Sequence, residues 1–433
     1  MAASVAGAAS SLLRPVPSAA YIHLPFCRRR CFYCDFPIQV VGDRRTSADA
    51  AAERYVALLL REMRATPAAG ADEEALKSLY FGGGTPSLTP PPLLATLIKE
   101  VRERYGLDAD AECTLEMDPG TFDAARLEAY LDAGVTRVSL GIQSFDAAQL
   151  TAAGRAHTLE DAENALDLVL DPLRCPGLSV SIDLIGGLPE QSRESWERSL
   201  ELATTCGAHH VSVYDLQLEA NTKFSRLDQL GKLRLPEEET AAQMFRDAST
   251  RLGAAGFEHY EVSSYARPGH RGRHNGAYWR NEPFWAWGLG STSHVNERRL
   301  SRPRTMKGYE DWVGSLEAMG WKHTLVKDAV HEPFGTMEEL QTRLMLALRT
   351  DGGVDLSAIR CAYTESRGGL SLGAAAAEAC TAAARALPHE WLELEDDTVR
   401  LSDPEGLLFS NSAISSILAE LEDRWEDEDN GGS

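Results

Sequence analysis

Three cysteines near the N-terminus are spaced closely enough to share one inorganic centre. Cys27, Cys31 and Cys34 form a C-x3-C-x2-C pattern directly after a short apolar segment that predicts a β-strand. Cysteine thiolates are the usual protein ligands of iron–sulfur clusters. Three of them on one loop can hold three irons of a [4Fe–4S] cube and leave the fourth iron open to a small molecule. The pattern therefore predicts such a cluster at this loop.

Two other uses of these thiols fit the sequence less well. A structural zinc site could take His23 as a fourth ligand and form a Cys3His set, but the chain has no second C-x2-C pair. Disulfides are a poor explanation, because three clustered cysteines are an odd number and 8 in 433 residues are too few for a disulfide scaffold. The other cysteines are predicted to be buried free thiols: Cys113, Cys175, Cys206, Cys361 and Cys380.

Composition and charge exclude several classes of protein. Hydrophobic residues make up 43% and charged residues 25% of the chain, which is ordinary for a globular protein. The formal net charge of −22 disfavours general nucleic-acid binding. No segment approaches the roughly 18 consecutive apolar residues that a membrane span needs. The scattered cysteines indicate a reducing compartment, which an oxygen-sensitive cluster would require.

The N-terminal segment has the composition of a targeting sequence. Residues 1–20 are rich in Ala and Ser and contain no acidic residue, and the first acid of the chain is Asp35. Such a composition is typical of organelle transit peptides, although Arg14 is the single positive charge of this stretch. We therefore expect a short transit peptide within residues 1–18 and a mitochondrial or chloroplast location, with a cytoplasmic protein as the alternative.

Strand-like and helix-like segments alternate along the first half of the chain. Six β-then-α repeats predict a parallel sheet with right-handed crossovers. The expected fold class is α/β, an open partial (β/α)6 barrel. Helices are predicted between the strands at 47–64, 91–105, 123–132, 159–170 and 192–206, and the strands begin near Tyr21, Ser78, Glu112, Val135, Leu178 and His209.

Unusual residues lie where these strands end. The active site of a parallel α/β barrel is found at the C-terminal ends of its strands. A glycine after a strand commonly makes only a turn, but five strand ends that carry such residues together predict one binding site. They are the cysteine loop, Gly82 to Thr85, Glu116 to Thr121, Gln143, and Asp183 with Gly186 and Gly187.

The composition changes after the predicted barrel, which we place at 19–255. Residues 256–335 form an extension that is dense in Tyr, Trp, His and Gly. An Ala-rich pattern and a β-wing followed by a helix then predict a small helical or winged-helix-like domain at 336–418. The final stretch, ELEDRWEDEDNGGS, is acidic and is expected to be a solvated, disordered tail, counted as residues 419–433.

The chain resembles the HemN/HemW branch of the radical S-adenosylmethionine (radical SAM) superfamily from Ala20 to about Leu418. The resemblance rests on YIHLPFCRRRCFYCDF, YFGGGTPS, LEMDPGT, GVTRVSLGIQSF, DLIGGLPEQ, YEVSSYARPG, HNGAYW and LSDPEGLLFSN. It implies that Cys27, Cys31 and Cys34 bind a [4Fe–4S] cluster. It also implies that the amino and carboxylate groups of S-adenosylmethionine chelate the open iron.

The same resemblance implies a set of cofactor contacts. Carboxylates suit the sulfonium and ammonium groups of S-adenosylmethionine, and an arginine suits its carboxylate. Gly82 to Gly84 would let the backbone approach the methionine portion without a side-chain clash. The implied contacts are Tyr21, Tyr33, Gly83, Gly84, Thr85, Glu116, Gln143, Arg155, Asp183, Gln217 and His294. The run Arg28 to Arg30 is either a counter-charge to the anionic cluster or a solvated part of the loop.

A haem site is implied by HNGAYW, which matches the H-N-x-x-Y-W motif associated with haem binding in this branch. Its residues are His274, Asn275, Tyr278 and Trp279. A lone histidine is more often a hydrogen-bonded core or surface residue than a ligand. Imidazole does ligate haem iron, however, and aromatic rings such as Trp285 and Trp287 can pack on a porphyrin.

Two features separate the members of the branch. The coproporphyrinogen oxidases carry a further cysteine two residues after the third cluster ligand, where this chain has Phe36. They also have a substantial segment before the cluster, whereas few residues precede Tyr21 here. We therefore expect a haem chaperone that passes haem to acceptor proteins, with an electron donor as partner if radical chemistry occurs. The alternative is a coproporphyrinogen III oxidase or another radical SAM enzyme acting on a tetrapyrrole.

Overall fold

The computed structural model describes residues 16–69, 74–367 and 369–430. Strands and helices alternate as the sequence predicts. The strands are β1 Ala19–Leu24, β2 Phe26–Cys27, β3 Gln39–Val40, β4 Leu76–Gly83, β5 Leu107–Met117, β6 Arg137–Gln143, β7 Ser179–Gly186, β8 His210–Asp215, β9 Glu258–Glu261, β10 Ser264–Ala266, β11 Phe284–Trp287, β12 Thr292–Val295, β13 Arg298–Ser301, β14 Val330–His331, β15 Val354–Asp355, β16 Ser366–Arg367, β17 Leu370–Ser371, β18 Leu392–Glu395 and β19 Thr398–Leu401. The helices are α1 Arg45–Ala65, α2 Pro91–Tyr105, α3 Ala124–Ala133, α4 Ala147–Ala153, α5 Leu159–Val169, α6 Arg193–Thr205, α7 Lys223–Gln229, α8 Glu238–Ala254, α9 Arg273–Trp279, α10 Met306–Met319, α11 Trp321–Asp328, α12 Met337–Ala347, α13 Leu356–Ala362, α14 Leu372–Ala386, α15 Glu405–Leu408 and α16 Ser410–Asn430.

One large sheet organises the molecule, and the predicted α/β fold class is confirmed. Strands β1, β4, β5, β6, β7 and β8 lie side by side and parallel, as expected for an open six-unit barrel. The sheet continues beyond both edges of this barrel. Strand β11 pairs in parallel with β1 and is followed by β12, β13 and β14, while β10 and β9 extend the sheet from β8. The aromatic-rich segment 256–335 thus supplies strands to both edges.

The two faces of each parallel strand have different surroundings because successive side chains point to opposite sides. On β1, Ile22 and Leu24 are fully buried in the main core together with Leu59 of α1. The alternate residues Tyr21 and His23 point into the barrel, where the side chains are largely polar. This alternation leaves the helices outside and the polar groups facing the interior.

A buried ion pair ties helix α1 to the extension. Arg302 Nε lies 2.7 Å from Glu62 Oε1, and both side chains are fully shielded from solvent, at 0% exposure. Glu62 also accepts hydrogen bonds from the Tyr309 hydroxyl and, at 2.9 Å, from the Gly288 backbone N–H. Arg302 donates at 2.8 Å to Ser293 Oγ. The Glu62 carboxylate therefore joins α1 to the segment after β13, to the segment after β11 and to α10.

The C-terminal region has a core of its own, built by α12 to α16 and the hairpin β18–β19. The expectation of a disordered acidic tail is wrong for most of that segment, because α16 continues to Asn430. Ile414, Ile417, Leu421 and Trp425 recur at helical spacing and are buried in this core. The acidic residues occupy the other positions of the same helix, so they do not prevent it from packing. Residues 1–15 of the expected transit peptide and 431–433 lie outside the described residues.

Two smaller points complete the comparison with the sequence. Among the described residues, no helix is both long and apolar enough to cross a bilayer. All eight cysteines are free thiols; Cys113, Cys175 and Cys380 are buried as predicted, but Cys206 is half-buried and Cys361 on α13 is exposed.

Candidate functional site

A cavity of about 470 Å³ opens at the C-terminal ends of the barrel strands. Most of the unusual strand-end residues lie around this cavity. This placement is consistent with the prediction that they come together. Of the residues singled out from the sequence, those that line this cavity are Cys27, Arg28, Arg29, Cys31, Tyr33, Cys34, Phe36, Gly83, Gly84, Thr85, Glu116, Met117, Asp118, Thr121, Gln143, Arg155, Asp183 and Gln217.

Backbone hydrogen bonds hold the cysteine loop at its start and near its middle. Strand β2 pairs with β3, and the Phe32 N–H donates to the Ala153 carbonyl at 2.9 Å. The three thiols are half-buried and face one cavity. Burial raises the pKa of Cys27 to about 12 and also raises the pKa of Cys34. A coordinating thiol is deprotonated outright by its metal, so the raised pKa values describe the thiols without a metal and do not oppose a cluster here.

The zinc alternative does not fit the position of His23. Its Nε2 lies 3.0 Å from the Pro37 carbonyl oxygen and its Nδ1 lies 3.1 Å from the Tyr21 hydroxyl. Both ring nitrogens are thus engaged away from the thiols. Within the described part of the chain, no three His, Cys, Asp or Glu side chains are close enough to hold a single metal ion. A cluster of several irons separates its ligands more widely, so this arrangement does not count against it.

The glycines after β4 are required by their protein neighbours. Gly83 has a φ of +114°, and a Cβ there would lie 2.4 Å from the His23 ring. A Cβ on Gly84 would lie 2.7 Å from the backbone of Pro25. From the sequence, these glycines are expected to leave space for a cofactor to approach the backbone. The structure adds a second reason, because the end of β1 already fills the space that side chains would occupy.

Two half-buried carboxyl groups face the cavity from neighbouring parts of the sheet. Glu116 Oε1 accepts a hydrogen bond from the Tyr80 hydroxyl at 2.8 Å, and burial raises the pKa of Glu116 to about 7. Asp183 accepts from Ser139 Oγ at 3.1 Å, and burial raises its pKa to about 6. A cation placed between them would favour the ionised form of both. This pair therefore provides a receptor for a positively charged ligand.

Arg155 is held by Asp118, a carboxylate that directly follows strand β5. Its Nη2 donates to Asp118 Oδ2 at 2.6 Å and to the Gly141 carbonyl at 2.8 Å, while its Nη1 lies 3.4 Å from Cys31 Sγ. Asp118 Oδ1 also lies 3.1 Å from His157 Nδ1. Burial would raise the pKa of Asp118, but Arg155 and His157 hold it below its ordinary value.

The arrangement changes the expected role of Arg155. Its guanidinium is paired with Asp118 and lies beside Cys31, a predicted cluster ligand, so it is not free to pair with the carboxylate of a cofactor. Asp118 belongs to the motif LEMDPGT after β5, and His157 follows α4. The two residues are 39 positions apart, and no local pattern predicts that they meet.

Two of the expected cofactor contacts lie away from the cavity. Tyr21 is behind it, with its ring 6.1 Å from the ring of Tyr80. His294 is on β12, buried near Phe284 at a ring distance of 6.2 Å, and does not line the cavity. The prediction for His294 is therefore not supported by this geometry. It followed from the family resemblance, which does not show that β12 lies two strands outside the barrel.

The HNGAYW motif forms helix α9, and this helix closes the N-terminal end of the barrel. His274 is 2% exposed, with Nδ1 3.0 Å from Ser78 Oγ and Nε2 2.8 Å from the Tyr278 hydroxyl. Burial lowers its pKa to about 3. Glu112 accepts hydrogen bonds from the first N–H groups of the helix, including that of His274 at 3.1 Å. In this conformation neither ring nitrogen is free to bind haem iron, contrary to the expectation for this residue.

The other residues of the motif, and two tryptophans that follow it in the chain, are also partly or fully buried. Asn275, Tyr278 and Trp279 are half-buried. Trp285 and Trp287 are 8% and 0% exposed and pack against Tyr105. The expectation that these two tryptophans offer a face to a porphyrin is wrong, because β11 is an interior strand of the sheet.

An open six-strand barrel with three free cysteines at its strand ends defines a radical SAM protein. Residues 21–203 match the Radical SAM superfamily model. The chain is 38% identical to the heme chaperone HemW of Synechocystis sp., over 94% of this chain and 98% of that protein. It is 32% identical to the mitochondrial radical S-adenosyl methionine domain-containing protein 1 of Bos taurus, over 94% and 89% of the two chains. The chain belongs to the HemW family.

A solved structure supports the fold. Coproporphyrinogen III oxidase (HemN) from Escherichia coli superimposes with a TM-score of 0.74 at 19% identity, covering 95% of this chain and 92% of that chain. At this identity the likeness shows the shared fold alone.

Proposed function

We propose that this protein is a haem chaperone that binds haem and transfers it to haem-requiring acceptor proteins. The observation that carries the proposal is the similarity to the heme chaperone HemW of Synechocystis, which spans nearly the whole of both chains. The cavity supports it, since it retains the residue types that a radical SAM cofactor site needs. Oxidation of coproporphyrinogen is not part of the proposal.

The cofactor site is proposed from the residues that line the cavity. Cys27, Cys31 and Cys34 would hold a [4Fe–4S] cluster, which supplies an open iron and one-electron redox chemistry when bound. Glu116 and Asp183 would face the cationic groups of S-adenosylmethionine. Polar and backbone contacts from the strand ends would orient the rest of the molecule, from Tyr33, Gly83, Gly84, Thr85, Gln143 and Gln217.

S-adenosylmethionine binding should depend on the two half-buried carboxylates in the cavity, Glu116 and Asp183. Glu116→Gln and Asp183→Asn each remove a charge from the site, and losing one charge-assisted hydrogen bond costs about 1.5–3 kcal/mol, or roughly ten- to a hundredfold in affinity. Affinity for the native protein should fall as the pH drops through about 7 and about 6, because protonation neutralises these groups. Equilibrium titration of reconstituted protein across this pH range measures both effects.

The exposed residue Glu163 on α5 offers a matched control. Glu163→Gln should leave both the affinity and its pH dependence as in the native protein. Native affinity in both Glu116→Gln and Asp183→Asn would remove these carboxylates from the site.

Haem binding without porphyrinogen turnover is the direct test of the proposed function. Anaerobic reconstituted protein should bind haem, yet leave coproporphyrinogen III unchanged, while the Escherichia coli HemN run in parallel converts it. Because His274 is enclosed by Ser78 and Tyr278, His274→Gln should keep the native haem spectrum. Spectroscopic haem titration with product analysis decides both points.

Each part of this test can fail separately. Protoporphyrinogen formation by the native protein would favour the oxidase alternative. Loss of the haem spectrum in His274→Gln, with cluster content unchanged, would show that α9 leaves the end of the barrel to ligate haem.

We also propose an organellar location. The acid-free, Ala- and Ser-rich composition of residues 1–18 supports it, as does the mitochondrial name of the Bos taurus relative. Because the bacterial relatives are 38% and 36% identical, against 32% for the Bos taurus protein, a cytoplasmic protein is the alternative.

A further inference from the structure

Three of the 11 histidines are exposed to solvent, namely His323, His331 and His389. His323 lies on α11 and, within the described residues, neither of its ring nitrogens has a hydrogen-bond partner. His331 differs, because its Nε2 lies 4.0 Å from a carboxylate oxygen of Glu297. His274 differs further, because both of its ring nitrogens are engaged inside the barrel. His323 therefore offers a free imidazole to a ligand that arrives from solvent.

Large apolar side chains are exposed on both sides of His323 in the chain. Met319 ends α10 and is 42% exposed, Val326 on α11 is 71% exposed, and Val330 on β14 is 65% exposed. Residues three or four apart on a helix share a face, so His323 and Val326 lie side by side on α11. The other face of this helix is buried, through Trp321, Thr324 and Leu325. A group of exposed apolar side chains marks an interaction site, whereas single ones are ordinary.

The large sheet holds this surface in place. Strand β14 is the last strand at one edge of the sheet and pairs with β13. Helix α11 packs against β13 as well, and Ala329 alone separates the helix from β14. Val330 therefore lies just beyond the end of α11. The helix has 8 residues and a length of about 12 Å, which is similar to the breadth of a porphyrin ring.

The charged residues of α11 favour a ligand that carries carboxylates. Lys322 is exposed and, in the part of the chain that the structure describes, forms no ion pair. Lys327 Nζ lies 4.0 Å from Asp328 Oδ1, and the other oxygen of Asp328 accepts a hydrogen bond from Trp312 Nε1 at 3.3 Å. The surroundings of His389 are the opposite, since five acidic residues lie between 390 and 397. Anionic groups would be repelled there and attracted at α11.

We propose that Met319, Lys322, His323, Val326 and Val330 form the haem site of this protein, which we call the α11 site. The inference rests on the proposed haem chaperone function and gives that function a location. A ring nitrogen of His323 would bind the haem iron, as the proximal histidine does in other haem proteins. Val326 and Val330 would pack on the porphyrin, and Lys322 would pair with a propionate.

An exposed site suits a protein that passes haem on. One bond forms, from His323 to the iron, and no electron is transferred. That bond breaks again when a ligand of the acceptor protein replaces His323, and the open side of the haem lets the acceptor approach. None of the five residues lines the cavity at the strand ends. Haem binding at the α11 site should therefore leave the cysteines and their cluster unaffected.

The test compares His323→Gln and Val326→Glu with the native full-length protein after anaerobic reconstitution. Gln and Glu are better helix formers than the residues they replace, so α11 should form as before. Titration with haem should show an affinity at least about tenfold lower in both variants. His323→Gln should also change the haem absorption spectrum, because an axial ligand is lost. Iron and sulfide content should stay native in both.

His389→Gln is the matched control, since it removes the exposed histidine of the acidic segment. It should bind haem with the native affinity and spectrum and should donate haem to apomyoglobin at the native rate. Native haem affinity in His323→Gln or in Val326→Glu would overturn the inference, and so would loss of haem binding in His389→Gln. A native protein that binds no haem would contradict the proposed function itself, and this result would appear before any variant is compared.

Discussion

Replacing Cys27, Cys31 or Cys34 by serine should abolish the [4Fe–4S] cluster in each variant. The three thiols face one cavity at the strand ends. A cluster that leaves one iron open takes all three thiolates, and a serine hydroxyl is a poor ligand for iron in such clusters. Iron and sulfide analysis after anaerobic reconstitution, with the visible spectrum, measures the loss.

Cys361→Ser provides the control for this series, because Cys361 is an exposed free thiol on α13, outside the cavity. It should bind iron and sulfide to the native level. A cluster retained at near-native content in any one of the three cavity variants would contradict the assignment of that cysteine.

Breaking the ion pair between Glu62 and Arg302 should be among the most destabilising single changes in the chain. Glu62→Gln leaves the Arg302 guanidinium without its counter-charge in a site where both side chains are 0% exposed. Removing one partner of a buried pair typically costs about 3–5 kcal/mol. The free energy of unfolding from a denaturant titration, if the transition is reversible, gives the value directly.

Neighbouring positions on the same helix supply the comparison. Arg61 is paired with Glu317 at the surface, with side chains 47% and 39% exposed. Arg61→Ala should therefore change stability by no more than about 1 kcal/mol. The double variant Glu62→Met with Arg302→Met should recover much of the lost stability, because well-packed apolar groups often replace a buried pair at little cost. Equal effects of Glu62→Gln and Arg61→Ala would show that the buried pair is not special.

Local sequence patterns were sufficient for the barrel and for most of its site. The alternation of apolar and helical segments predicts six strand–helix repeats. The C-terminal ends of the six strands meet because parallel strands share an edge. Cys27, Glu116 and Asp183 follow from that rule, and the structure places them on one cavity.

Long-range pairing was beyond local patterns. In the sequence, FWAW belongs to an aromatic extension outside the predicted barrel. In the structure it forms β11, the parallel neighbour of β1, and the pairs run from Ala19 with Phe284 to Ile22 with Trp287. Glu62 resembles an ordinary surface charge in a helical segment, and only its contact with Arg302, 240 residues away, shows otherwise. The same limit explains His274, whose partners on β4 and within α9 satisfy both ring nitrogens.

The pairing of β1 with β11 also sets an order for biosynthesis. Until residue 287 has left the ribosome, β1 has β4 on one side and an unpaired edge on the other. Unpaired edges invite association with other chains, and the cysteine loop follows directly from this strand. Contacts that close over so many residues form late. The site is therefore complete only after about two thirds of the chain has been synthesised. Cluster insertion is expected to follow the folding of the barrel. Until then, the open edge of β1 and the free thiols need protection from aggregation and from oxygen.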